Sequence, residues 1–227
     1  MEKEAKAPKA KAGAKKPQSA DIRAKYKEHV LENGAAPSSF FLFAKSLKLK
    51  EEDLYEFYNS FESIEKGIWH DFVSATIQAI ESEKVYEEYS VREKLLAFYY
   101  TLIEELKRNR SYILWQMQAV KHPTTTPYFL KAFKSEFLSW ANNLVIEGKD
   151  TDEIANRPFI SDRYGEAMWV QTLFILNFWH KDESKGFEKT DAAIEKAVNL
   201  AFDLMGRGAV DSLLDLAKFI YQSKKEA

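Results

Sequence analysis

The sequence predicts an all-α protein, and three observations lead there. Only 8 Gly and 6 Pro punctuate 227 residues, far fewer turn residues than an all-β chain of this length requires. Apolar residues recur at spacings of three and four along most of the chain, the period of an amphipathic helix. No alternating run of strand length and no internal repeat interrupts that pattern. With 45% hydrophobic and 30% charged residues, the chain has material for a sizeable core, in one large or two small domains, and is not disordered throughout.

The elements follow in order. Residues 1–20 are low-complexity Ala/Lys sequence broken by Pro8, Gly13 and Pro17, with six Lys against two Glu. Lacking aromatic residues, this stretch has nothing to bury and reads as a disordered basic tail, either a DNA-hugging arm or a solubilising leader. Residues 21–227 carry a net charge of −6 within a total of −2, so charge alone draws only the tail toward nucleic acid. Ile22, Tyr26 and Val30 then share one helical face, with Ser19 as the expected cap and Gly34 as the stop. A short apolar run from Phe40 to Leu49 and another segment from Glu51 to Tyr58 precede a long amphipathic helix marked by Phe61, Ile64, Ile68, Phe72, Ile77 and Ile80.

Further helices are predicted at about 90–109, 111–121, 126–147, 163–180, 187–205 and 209–223 from their apolar spacing. Their breakers are His122-Pro123, Gly148-Lys149-Asp150, Lys185-Gly186 and Gly206-Arg207-Gly208. Helix 163–180 is apolar nearly all round, so it must be enclosed within one subunit or partly against a second copy. Helix 187–205 offers small residues such as Ala192, Ala197 and Ala201. Together the two are the expected homodimer interface, an ordinary intramolecular core being the alternative. The segment His122–Pro127 reads as a loop that either gates a ligand site or merely connects helices.

Several chemistries are excluded. Without Cys there are no disulfides, thiolate metal sites or cysteine nucleophiles, which fits a reducing cytoplasm. His29, His70, His122 and His180 stand apart, none with Glu three residues before it, so no metal site or cofactor is expected. No Walker loop, Gly-x-Gly-x-x-Gly or Gly-x-Ser-x-Gly occurs. Carboxylates alternate with Lys as solvated faces, and no enzymatic activity is expected. There is neither a secretory h-region nor an apolar stretch of membrane-spanning length.

The informative region is 21–69. Two short helices joined by a tight turn, followed by a long helix leading away, form helix-turn-helix geometry, in which one helix braces the DNA backbone and the next enters the major groove. Read without gaps from Gly34, the chain offers Phe43-Ala44, Lys48-Leu49, Leu54-Tyr55 with Tyr58, then Ser60-Phe61-Glu62 and Ile64. In this register it resembles the TetR/AcrR family of transcriptional regulators. The resemblance implies a helix-turn-helix domain over 21–66 and a ligand-binding, dimerising bundle over 67–227. It further implies DNA contacts from Ser38, Ser39, Lys48, Lys50, Glu51 and Tyr55.

The chain departs from the family pattern at charged positions. Lys48 stands where the family commonly has Gly at the turn, and Phe61 where a lysine commonly helps hold phosphate. Glu51, Glu52, Asp53 and Glu56 occupy a recognition helix that is usually small, hydroxylic or basic. Such carboxylates oppose the phosphate contacts that anchor specific complexes.

Two functions therefore compete: a dimeric regulator released from DNA by ligand, or a TetR-fold binding protein that no longer reads DNA, similar to the TetR-like lipid-binding proteins of quinone biosynthesis. A purely structural dimer is the third reading. With 14% aromatic residues, the bundle suits a small hydrophobic or aromatic ligand. The candidate lining is Tyr99, Trp115, Gln116, Phe133, Phe137, Trp140, Trp169, Phe174 and Phe178, unless these rings simply fill the core.

Overall fold

The computed structural model describes residues 18–118, 120, 126–157, 160–208, 211, 215, 216, 219, 220, 222 and 223. Nearly all of the expected tail and the 121–125 part of the expected gating loop lie outside the described residues, as does much of the last predicted helix. Within them the chain is helical, with no strand.

Helix α1 (Ser19–Asn33) starts at the residue expected to cap it. Gln18 occupies the cap position, its backbone N–H donating to Asp21 Oδ2 at 2.9 Å. Gly34 ends the helix at φ 68°, a conformation open to glycine without steric cost. Helix α2 (Phe40–Ser46) is capped by Ser39, whose Oγ accepts from the Leu42 N–H at 3.2 Å. Helix α3 (Glu51–Tyr55) follows after four residues.

Helix α4 (Phe61–Glu81) carries the expected apolar residues on its buried face and is capped by Ser60. Helix α5 (Val91–Lys107) begins with a capping box: Ser90 Oγ accepts from the Glu93 N–H, and Glu93 accepts from the Ser90 N–H, satisfying two otherwise orphaned donors. Helix α6 (Arg110–Met117) stops short of the predicted residue 121. Helix α7 (Lys131–Asp150) is preceded by a 3-10 turn at Tyr128–Leu130. Helices α8 (Tyr164–His180) and α9 (Glu188–Met205) match their predicted extents to within a residue. Residues 211, 215, 216, 219, 220, 222 and 223 are helical too.

Helix α4 is the spine. It packs along α5 and α7, while α8 lies against α7 and α9 against both α5 and α8. Helix α1 bridges from α4 to α6, and α2 crosses α3. One aromatic seam fills the centre: Trp69 stacks on Phe129, Phe98 stacks on Trp140, and Phe133 and Phe137 both meet Trp169.

Polar groups lock the periphery. Arg157 is 5% exposed and donates to Asp211, the Tyr164 hydroxyl and the carbonyls of Leu204, Met205 and Gly206, so one guanidinium closes the α9 C-terminus. Asp182 accepts from both the backbone N–H and the hydroxyl of Ser184 and of Thr190. Burial alone would raise its pKa, but these hydrogen bonds outweigh burial and hold the carboxyl below its ordinary range.

Candidate functional site

The α2–α3 unit turns on a Schellman motif. The Leu49 N–H donates to the Ala44 carbonyl at 2.9 Å and the Lys48 N–H to that of Lys45 at 3.1 Å. This motif requires a left-handed residue at position 48, and Lys48 adopts φ 59°. The departure from the family's Gly is therefore one of residue type, not of backbone shape. Beneath the turn, Phe43, Ala44, Leu54 and Tyr58 are buried, and Phe40 stacks on Tyr55 at 5.3 Å between ring centroids.

The outward side of this unit holds the residues implied as DNA contacts. Ser38, Lys48, Lys50 and Tyr55 are exposed, while Ser39 and Glu51 are half-buried. Ser39 is engaged in capping α2. Glu51 accepts from the Tyr55 hydroxyl, and Lys50 pairs with Glu52 at 2.9 Å. A shallow groove of about 670 Å³ between α2 and α3 is lined by Phe41, Lys45, Leu49, Lys50, Glu52 and Tyr55, among others. Phe41 and Leu42 are 56% and 51% exposed beside it. The face is mixed in charge and partly aromatic.

The nine candidate ligand-lining residues do not come together around one cavity. Phe133, Phe137, Trp140 and Trp169 are buried in the aromatic seam. Trp140 donates its indole N–H to the Tyr86 hydroxyl and Trp169 to Thr126 Oγ1. The Tyr99 hydroxyl is surrounded by the Met168 carbonyl, Gln171 and Thr172. Trp115 is half-buried and donates to the Gly34 carbonyl at 3.0 Å, and Gln116 sits between Trp69 and Glu65. A pocket of about 160 Å³ between α6, the 3-10 turn at Tyr128–Leu130 and α8 is lined instead by Met117, Leu130, Leu173, Leu176 and His180 with their neighbours. Burial holds the His180 pKa below its ordinary value. Among the described residues no group of His, Asp and Glu is arranged to hold a metal ion.

Phe174 and Phe178 lie elsewhere, on the outer side of α8. With Val170, Ala193, Ala197 and Leu200 they border an open apolar groove of about 910 Å³ between α8 and α9. Val170 is 63% exposed, Phe174 49%, Leu200 59% and Leu204 52%. The inner residues of α9 (Ile194, Val198, Phe202 and Met205) are buried against the body. Helix α9 thus has two apolar faces, and the described residues cover only one.

Helical spacing did not single out Glu65. Glu65 is 4% exposed and accepts hydrogen bonds from Tyr26, Gln116 and Tyr128. Its signal was available: Glu65, Trp69 and Phe72 share one helical stripe at i, i+4 and i+7, so an acid interrupts an apolar face.

Residues 94–220, more than half of the chain, match the family model described as tetracyclin repressor-like, C-terminal domain. The chain belongs to the TetR family. The fold agrees with this assignment. A crystal structure described as a tetR family transcription regulator from Shewanella sp. PV-4 superposes with a TM-score of 0.56, covering 82% of this chain and 97% of that one at 13% identity. A protein with unknown function from Rhodococcus sp. RHA1 gives 0.54, with 83% and 95% covered at 11% identity. No curated protein matches the sequence. The chain thus has the regulator fold of the TetR family, a helix-turn-helix followed by a helical bundle. Among the described residues no helix is long and apolar enough to cross a membrane.

Proposed function

We propose that the chain is a dimeric TetR-type transcriptional regulator, not an enzyme, whose bundle binds a small hydrophobic ligand and whose helix-turn-helix binds DNA. The observation that carries this reading is the intact α2–turn–α3 unit, which keeps its left-handed turn even with Lys48 there. A chain with no use for the unit would be under no constraint to keep a conformation that costs a non-glycine residue about 1–2 kcal/mol. The α8–α9 face left open by the described residues supports the dimer: a second copy related by a two-fold axis would bury Phe174, Leu200 and Leu204 against the same patch of its partner. The domains divide near residue 66, in the second turn of α4. The 160 Å³ pocket beside His180 is the place from which a larger apolar site would open in the bundle.

A specific observation favours a second reading, a TetR-fold binding protein that does not read DNA. The face that would meet the duplex carries Glu51, Glu52, Asp53 and Glu56 against Lys48 and Lys50, with Phe41 and Leu42 exposed beside them. Binding of the purified chain to duplex DNA across a salt series, with and without residues 1–17, separates the two. Sequence-selective binding that survives removal of the segment supports the regulator. Binding that is weak, unselective and lost with the segment supports the second reading.

A further inference from the structure

The joint between α1 and the bundle is built around one buried carboxylate. Glu65, on the first turns of α4, accepts from the Tyr26 hydroxyl of α1 at 2.5 Å, from Gln116 Nε2 of α6 at 3.0 Å, and from the Tyr128 hydroxyl of the 3-10 turn before α7. Gln116 is itself oriented, since its Oε1 accepts from the Trp69 indole N–H at 2.7 Å. Tyr112 of α6 is buried nearby, with no hydrogen-bond partner for its hydroxyl among the described residues. The hydroxyls of Tyr26, Tyr112 and Tyr128 all have pKa values raised, by burial first and then by Glu65, through a hydrogen bond and charge for Tyr26 and Tyr128 and through charge for Tyr112. They therefore stay protonated, and those of Tyr26 and Tyr128 serve as donors to the carboxylate.

A carboxylate this deep is retained only while its donors stay in place, because losing one leaves a desolvated charge undersatisfied. Two of the three donors belong to the bundle and the third to α1. Any shift of α6 or of the Tyr128 turn therefore changes how tightly Glu65 holds Tyr26. We propose that Glu65 is a positioning residue that relays the state of α6 and the Tyr128 turn to α1, and so sets the angle of the α1–α3 unit on the bundle. The route is a hydrogen-bonded link to α1, separate from the apolar packing of α4, and it does not require that the unit bind DNA.

The absence of native Cys permits a clean test. Spin labels at Glu56→Cys and Asp150→Cys, on the full chain diluted into unlabelled protein, report the angle as a distance distribution. Tyr128→Phe should shift the ratio of the populations at short and long label separation by about ten- to a hundredfold, the equivalent of one hydrogen bond to a charged group. In a Glu65→Gln background the same substitution should shift it little. A merely structural Tyr128 would give equal shifts in both backgrounds, and that result would overturn the relay, as would no shift in the parent chain. Should Glu65→Gln fail to fold, Tyr26→Phe replaces it as the background with the same two outcomes. Lys27→Ala, which removes a different α1–α6 contact to Asn109, serves as control; it should leave the effect of Tyr128→Phe intact, and loss of that effect would equally refute the relay.

Discussion

Replacing Lys48 with glycine should stabilise the protein, which is an uncommon expectation for a mutation to glycine. Lys48 holds φ 59° at the turn between α2 and α3, where an L side chain costs about 1–2 kcal/mol relative to glycine. The side chain is exposed and makes no ion pair among the described residues, so its loss forfeits little. Against this, glycine gains more backbone freedom in the unfolded chain, worth about 0.5–1 kcal/mol. The net is a gain of about 0.5–1 kcal/mol, or a rise in melting temperature of about 1–4 °C for a chain of this size. Urea unfolding should show a higher midpoint with an unchanged slope. Lys48→Ala should change little, and Lys48→Val should lose about 1 kcal/mol because its branched side chain tolerates this region worst. A destabilised Lys48→Gly, or one no better than Lys48→Ala, would refute the reasoning that the turn is left-handed and strained.

Phe174→Glu combined with Leu200→Glu should convert a dimer to a monomer, raising the dissociation constant at least about a hundredfold; sedimentation across concentration checks this, and an unchanged dimer would place the interface elsewhere. Asp182→Ala should cost on the order of 3 kcal/mol at neutral pH, because it strips the donors of Ser184 and Thr190 of their acceptor. The pH dependence follows the same carboxylates. Arg157 holds the Asp211 pKa down to about 2 and the Ser184 and Thr190 donors hold Asp182 below its ordinary value. Their stabilisation is therefore full above about pH 4 and lost as pH falls through the folded pKa values. Melting curves of the parent should steepen in pH dependence below pH 4, and Asp182→Ala should flatten that dependence. Glu51→Gln with Glu56→Gln should strengthen binding to duplex DNA at low salt by about tenfold if α3 faces phosphates, and leave it unchanged if α3 does not.

Much of this architecture was legible because its signals are local. Gly34 lies within a turn of the backbone groups it satisfies, so sequence spacing reports it directly; the caps at Ser39 and Ser60 and the Ser90–Glu93 box are equally local, although apolar spacing did not single them out. The start of α1 was displaced because Asp21 reaches the Gln18 N–H, and either residue 18 or 19 is a sterically acceptable cap. The fate of the aromatic rings was not legible. Phe133, Phe137 and Trp140 recur at helical spacing whether a helix faces a cavity or a packed centre, and only the three-dimensional arrangement shows that they stack on one another. Phe174 illustrates the converse: an all-apolar helix does not reveal which of its sides the subunit leaves open. Lys48 was read by residue type, whereas the turn depends on φ, a property that residue type constrains only partly. Glu65 escaped because neighbouring Glu62 and Lys66 make it resemble a solvated face until the phase of Trp69 and Phe72 is followed.

The proposed regulator requires that the α2–α3 unit read DNA as part of a two-fold dimer. Selection of bound duplexes from a random pool by the purified full-length chain, at near-physiological salt, tests it directly. The expected result is enrichment of an inverted repeat whose half-sites are spaced by about one helical turn or a multiple of it, roughly 34 Å each. A pool that emerges without an enriched motif, from a chain shown to be folded and dimeric, would contradict it.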